Sequence, residues 1–469
     1  MTTREETQRR DGAGESGGDG SGGSRAVRRA VVGGVLLAVL AGCGGITAGV
    51  LSGQGYLPGD GMREVWNTSA DGTSRAHGNG TWAVGDVLVR SRYDAVTGFD
   101  AGSGATRWTF EPPAGAEVCA VSRTAEDGIA LVAHGVPAGF SSELRPGEGC
   151  ATVTALSLAD GRALWHTART PLSGELRAAP DLVAAGAGLA VLRDEDADWA
   201  YRSAEDDPGR LDPDRSLRAV DLRTGKPKWS AKLPAGCVPY GVAADGRQVA
   251  ALLVCDYRDM RIAVLDPADG RVRGVAPLDE RQYTEPVRHA PVLLSADPLV
   301  VSVRDLDEAG HPTYLAFGPD ARPRGRIASG VRNGRLPDPV TEPALVRIAH
   351  GRLYAVAAET DYDDVLTAFD LRSGERLWRR EVADLDDIIG LRVAAGRVTA
   401  LIDLYGSKDE DGLFVFDADT GDERDQRTFP DSVGASSGEV KEVYGHRDRL
   451  IAARWGNGYY APFTAYEER

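Results

Sequence analysis

LTAFDLRSGERLW, residues Leu366–Trp378, decides how the whole chain is read. It opens as a strand and reaches Asp370, a short carboxylate suited to accepting backbone N–H bonds in a turn. Gly374, four residues on, supplies the left-handed position that closes a β-hairpin. Trp378, four further, stands on the returning strand as a large flat apolar face. The same frame recurs as VTGFDAGSGATRW (Val96–Trp108), VTALSLADGRALW (Val153–Trp165) and LRAVDLRTGKPKW (Leu217–Trp229). Asp100, Ser157, Asp221 and Asp370 each precede their Trp by eight positions. Self-similarity at roughly fifty residues marks an array of like supersecondary units.

Fainter copies fill the gaps. IAVLDPADGRVRG carries Asp266 and Gly270 with Gly274 in the Trp position, and LFVFDADTGDERD carries Asp417 and Gly421 with Asp425 there. YLAFGPDARPRGR is degenerate, with Gly318 where the turn Asp belongs. The two ends supply an eighth unit. Phe463–Glu467 matches the strand before the turn, and Arg63-Glu64-Val65-Trp66 matches a Trp strand with no hairpin before it. An N-terminal strand completing the C-terminal blade closes a ring without a free sheet edge. The expectation is an all-β, eight-bladed β-propeller of four-stranded antiparallel blades over residues 63–469.

The sixth unit shows the room available: strands over Ala344–Ala349, Arg352–Ala358, Val365–Asp370 and Arg376–Val382, with His350-Gly351 as a turn. In this frame Cys237 opens the first strand of the fourth blade and Cys255 closes its second. Cys119 lies in the first strand of the second blade, and Cys150 just before its third. Pairing near neighbours predicts Cys119–Cys150 and Cys237–Cys255, each contributing about 3 kcal/mol in the chain-entropy model.

Composition agrees with an exported protein. Gly numbers 58 and Pro 25, as many short strands and turns require. The net charge of −16 excludes a nucleic-acid-binding surface, which needs a basic stripe. Residues 1–29 read as a disordered cytoplasmic tail or n-region. Arg25, Arg28 and Arg29 then precede the uncharged stretch Ala30–Leu51, long enough at helical rise to span a bilayer. Leu40-Ala41-Gly42-Cys43 offers a second reading of the same stretch, a lipoprotein signal with Cys43 as the lipidated residue. Residues 52–62 read as a linker. Either anchor puts the body of the protein on the extracytoplasmic side of the cell membrane.

The run Ala-x-Asp-x-x-(Thr/Ser)-Gly-x-x-x-Trp, as in Ala219–Trp229 and Ala368–Trp378, resembles the tryptophan-docking repeat of the pyrroloquinoline-quinone (PQQ) propeller superfamily. The resemblance covers roughly residues 63–469 and implies that Trp66, Trp108, Trp165, Trp229 and Trp378 dock blades together. One branch of that superfamily, the quinoprotein dehydrogenases, holds quinone and calcium beside a disulfide between adjacent cysteines. This chain has no adjacent cysteine pair, and no catalytic residue carries over. The other branch comprises non-enzymatic propellers, among them the lipoprotein of the outer-membrane barrel-assembly machinery. Resemblance to that branch implies a scaffold that binds a protein or small ligand at a propeller face, with no cofactor.

Outside the repeat, the polar insertion Arg193–Ser216 carries nine carboxylates with Trp199 and Tyr201 among them. Its spacing matches no calcium loop, and exposed aromatics in a charged loop suit a partner contact. Asp409–Gly412 reads as the turn before Leu413–Phe416. The seven His lack metal-ligand spacing, and Ser436-Ser437-Gly438 lacks the context of a hydrolase nucleophile. The expectation is therefore a membrane-anchored, extracytoplasmic binding propeller without catalysis. A PQQ-dependent alcohol or sugar dehydrogenase and an extracytoplasmic sensor are the alternatives.

Overall fold

The computed structural model describes residues 61–70, 78–136, 149–169, 181–194, 217–256, 259–280, 284, 289, 291–304, 310–360, 363–381, 387–403, 411–429, 440–454 and 460–468. Among the described residues, 32 strands form eight four-stranded antiparallel sheets. Seven blades are consecutive meanders, over residues 78–110, 117–168, 183–230, 237–277, 292–328, 346–381 and 387–429. The eighth is closed by the N-terminal strand Met62–Asn67, which pairs with Phe463–Glu468. Asn67 lies opposite Thr464, and the Thr68 hydroxyl both donates to the Phe463 carbonyl at 3.1 Å and accepts the Phe463 N–H at 2.9 Å. The edge that would have ended the chain is thereby covered.

Each blade buries both faces, so its middle strands read as apolar runs. Val249–Cys255 and Ile129–Gly135 are buried at every residue. The fourth strands are more open, as in Ala163–Ala168 and Thr106–Phe110. The core is divided into layers between neighbouring blades, one of which joins Leu252, Ile262 and Val264 of the fourth blade to Leu299, Val301 and Phe317 of the fifth.

The repeat turns hold these layers in place. Asp370 Oδ1 accepts the N–H groups of Arg372 (2.7 Å) and Ser373 (3.0 Å), and Asp221 and Asp417 make the same kind of turn. Hydrogen bonds lower the pKa of two of the repeat carboxylates, Arg107 leading at Asp100 and the Thr224 hydroxyl at Asp221. The turn Gly has positive φ, +70° at Gly421 and +69° at Gly225. It also serves as a seat for the preceding blade. A Cβ added at Gly104, Gly161, Gly225, Gly270 or Gly421 would stand only 2.5–2.8 Å from the ring of Trp66, Trp108, Trp165, Trp229 or Trp378 respectively. Each indole thus lies on the next blade's turn rather than over its broad sheet face. Trp165, Trp229 and Trp378 also donate Nε1–H to the carbonyl following the turn Asp, at 2.8, 2.9 and 3.1 Å to Leu222, Pro267 and Ala418.

Of the three junctions without an indole, two close by direct backbone approach. A Cβ at Gly274 would stand 2.1 Å from the Asp320 carbonyl. In the fifth blade the turn is one residue shorter, with Gly318 N–H bonded to Arg322 O where Asp370 N–H bonds to Glu375 O. Ala321, at φ +62°, takes the place of the turn Gly. The shortening brings Gly325 into the docking position, and its own N–H donates to the Leu371 carbonyl at 3.1 Å. A backbone donor does there what the indole N–H does elsewhere.

Local boundaries depart from the sequence reading in two places. The sixth blade's first strand begins at Val346, because Pro343–Leu345 forms a 3-10 turn with Pro at its start. Asp411 and Gly412 belong to the strand Asp411–Asp417, not to a turn, since they pair with Asp403 and Ile402. Cys119 is bonded to Cys150 and Cys237 to Cys255. Among the described residues no helix is long and apolar enough to cross a membrane. The tail, the stretch Ala30–Leu51 and Cys43 lie outside the described residues.

Candidate functional site

In every blade the turns joining strands one to two and three to four lie at one end of the strands, here the turn face. Connections from strand two to three, and from blade to blade, lie at the other end, the crossover face. First strands of neighbouring blades touch and so ring the axis.

Polar side chains gather at this axis. Asp181, buried just before the third blade's first strand, accepts from Arg123 Nε at 2.5 Å and from the Leu293 N–H at 3.2 Å. Its carbonyl accepts the Val242 N–H at 2.9 Å. Arg123 follows the first strand of blade two, Val242 lies in that of blade four and Leu293 in that of blade five. One aspartate therefore ties four blades. On the other side, Pro343–Leu345 packs against the first strands of blades seven and eight. Lys441 Nζ donates to the Thr341 carbonyl at 3.2 Å, Arg347 pairs with Glu442 at 2.7 Å, and the Tyr444 hydroxyl meets Thr81 Oγ1 at 2.8 Å. Burial raises the pKa of Glu442 against the pull of Arg347, and raises that of Tyr444. The axis is built of the chain's own side chains.

These residues do not fit a quinone with its calcium. All four cysteines of the propeller are engaged in the two separate disulfides, and no adjacent pair exists to stack on a ring. Among the described residues no three His, Cys, Asp or Glu side chains cluster as a metal site would require.

The turn face carries a cleft of about 560 Å³. It spans blades four to six, across two neighbouring junctions that lack an indole. Leu299, Ala316, Phe317 and Leu371 contribute apolar surface, and all are otherwise buried. Arg247, Arg273, Arg324, Arg352 and Arg372 line it with only Asp297 and Asp370 as acids. Arg247 pairs with Asp297, and Arg273 reaches Asp266 at 2.9 Å. Arg352 reaches Asp419 at 2.6 Å, and Arg372 lies 3.8 Å from Asp370. Arg324 is exposed and meets no carboxylate among the described residues. His350, a turn residue at φ +51°, closes one side.

A separate carboxylate titrates unusually. Asp364, in the third strand of blade six, is pushed up to about 6 by burial, although it accepts the Ile388 N–H at 3.0 Å. The unfolded value is about 3.9. Its folded value is the higher one, so the folded state binds the extra proton between these values and stability falls as pH rises from about 4 to 6. Asp364→Asn keeps an acceptor for Ile388 without the charge. Its gain over the wild type is expected to grow across that window to about 2 kcal/mol at pH 7. Urea midpoints of both proteins at pH 4 and 7 test this, and a difference that does not change with pH refutes it.

The five docking tryptophans are distributed around the ring and do not converge on one site. Trp199 and Tyr201 lie outside the described residues, in the connection between Leu189–Arg193 and Leu217–Asp221. Asp181 escaped sequence reasoning because its partners are 58 to 112 residues away. The cleft left a faint signal, two consecutive units without Trp.

Eight four-stranded blades, five of their junctions locked by a Trp on the following turn Gly, define a propeller of the PQQ type. The profile of the family described as outer membrane protein assembly factor BamB matches residues 58–205 and 333–453, more than half the chain, and the chain belongs to that family. No curated protein matches it. Among solved structures, the computationally designed Ika8 protein is 11% identical, covering 87% of this chain and all of its own, with a TM-score of 0.49. BamB from Moraxella catarrhalis is 11% identical over 87% of this chain and 99% of its own, at 0.47. A quinohemoprotein alcohol dehydrogenase from Pseudomonas putida HK5 is 12% identical over 88% of this chain and 77% of its own, at 0.48.

Proposed function

We propose that the chain is an extracytoplasmic binding platform, anchored in the cell membrane through Ala30–Leu51 or by lipid at Cys43, with no catalysis of its own. The observation that carries this reading is the axis. Asp181 ties blades two to five, and Arg347–Glu442 with the Pro343–Leu345 turn ties blades six to eight, so the polar groups at the axis bond to the chain itself. A concavity open on the turn face suits docking. Membership in a family named for an assembly factor supports a role in handling other proteins. Trp199 and Tyr201 are a second candidate contact within the same reading.

Three measurements test it. In membranes from cells expressing the full chain, the propeller should be labelled by an impermeant amine or carboxyl reagent only from the outer side. Cross-linking in those cells should capture a protein partner. Titration with PQQ and calcium should give no saturable change in Trp fluorescence. One-to-one binding there would overturn the platform reading and favour a dehydrogenase.

A further inference from the structure

We infer that the cleft over blades four to six is a docking site for an acidic peptide segment of a partner protein. This inference rests on the platform reading and names the surface and its ligand chemistry.

Charge is the first argument. The chain carries −16 overall, yet this cleft is lined by five arginines and two aspartates, with no lysine. Arg273 and Arg352 are balanced by Asp266 and Asp419 from outside the lining, and Arg247 by Asp297 from within it. Asp370 is committed to its turn, where its Oδ1 accepts two backbone N–H groups, and it holds Arg372 only at 3.8 Å. Arg324 makes no ion pair among the described residues: the nearby Asp320 carboxylate, on the same turn, is paired with Arg322 at 3.1 Å. It lies over the turn of its own blade, where a Cβ at Gly318 would stand 3.0 Å from its Nε. A guanidinium presents a planar fork of donors that matches a carboxylate with two parallel hydrogen bonds.

The floor chooses between a small anion and a peptide. The exposed Pro319 and half-buried Pro298 line the cleft beside the nearly buried Leu299, Phe317 and Leu371, so its floor is apolar. A free phosphate or carboxylate would satisfy Arg324 and leave that floor wet. A peptide with an apolar side chain between acidic ones covers the floor and answers the arginines together. The cleft draws its walls from three blades, which gives it the length for several residues.

The repeat explains why the site lies here. At five junctions an indole stands on the next turn, whereas Gly274 and Gly325 let backbone meet backbone. The seventh blade also lacks the ring, with Asp425 in its place, but only the blades that line the cleft put two such junctions side by side, at Gly274 and Gly325.

The probe is a fluorescein-labelled, N-acetylated peptide of sequence Glu-Asp-Phe-Asp-Glu, with Gln-Asn-Phe-Asn-Gln as its neutral twin. Anisotropy is read with the full chain in detergent micelles at low salt. The acidic peptide should bind at least tenfold more tightly than the twin, and Arg324→Ala should weaken it tenfold or more. Arg162→Ala, an exposed turn residue of the second blade outside the cleft lining, should leave binding unchanged. Arg324 is exposed, and an unchanged melting temperature verifies that its variant is folded. Equal binding of the two peptides, indifference to Arg324→Ala, or displacement by inorganic phosphate at matched ionic strength would overturn the inference. If the peptide fails while cross-linking in cells still captures a partner, only this site is refuted. If both fail, the platform reading falls with it.

Discussion

Trp378→Ala is expected to lower the stability of the propeller by about 3–5 kcal/mol, the range for truncating a large buried aromatic. Trp378 is 7% exposed, lies 6.0 Å from the Tyr354 ring, donates to the Ala418 carbonyl and covers Gly421. Removing it therefore opens a void between blades six and seven and takes one donor from the Ala418 carbonyl, which keeps those of Arg352 at 2.7 Å and the Tyr354 hydroxyl at 3.3 Å. Gly421→Ala attacks the same contact from the other side. The added methyl would stand 2.7 Å from the indole, at a backbone φ of +70° that L residues rarely adopt. The two changes should be strongly non-additive, because the steric part of Gly421→Ala vanishes once the ring is gone. What remains is the backbone term, about 1 kcal/mol. Urea denaturation of the two single variants and the double variant measures the coupling. Simple additivity would show that the ring does not rest on the Gly.

The same contact explains why the fold was legible before any coordinates. Asp, Gly and Trp fall within nine residues of one another, so each junction writes its mark in a short stretch of sequence. Several copies in phase then fix the blade count and the strand frame, and with them the places of Cys119, Cys150, Cys237 and Cys255. Even the partial unit at the C-terminus, Phe463–Glu467, was readable, because its missing strand appears at Arg63–Trp66. Where a junction closes without a side chain the signal disappears. Gly325 acts through its backbone N–H, and the one-residue shortening at Gly318–Arg322 shifts the frame that would have located it. The cleft arises there, from what two units lack, and sequence registers that only as degeneracy.

The axis was illegible for a different reason. Asp181 stands in no motif, and its partners Arg123, Val242 and Leu293 are brought to it only when four first strands are set around the ring. Local pattern cannot report such a meeting, yet its energetic weight is considerable. Asp181 is 4% exposed, and its carboxylate satisfies both a guanidinium and a buried backbone N–H. Asp181→Ala strands both donors. Removing one partner of a fully buried ion pair costs about 3–5 kcal/mol. The Arg123 side chain retains 38% of its exposure and recovers part of its hydration, which reduces the expected loss to about 2–3 kcal/mol. Asp181→Asn keeps an acceptor for the Leu293 N–H and should cost about half as much. Arg123→Ala should cost less still, since it leaves Leu293 bonded. Because the residue joins blades two to five, its loss should loosen those blades before the rest. Amide hydrogen exchange in the Asp181→Ala protein should then rise along the strands Cys237–Ala244 and Val292–Ser295 while Asp387–Ala394 stays protected. Uniform loss of protection around the ring would mean that Asp181 acts on global stability alone, and that the blades do not depend on it as a local tie.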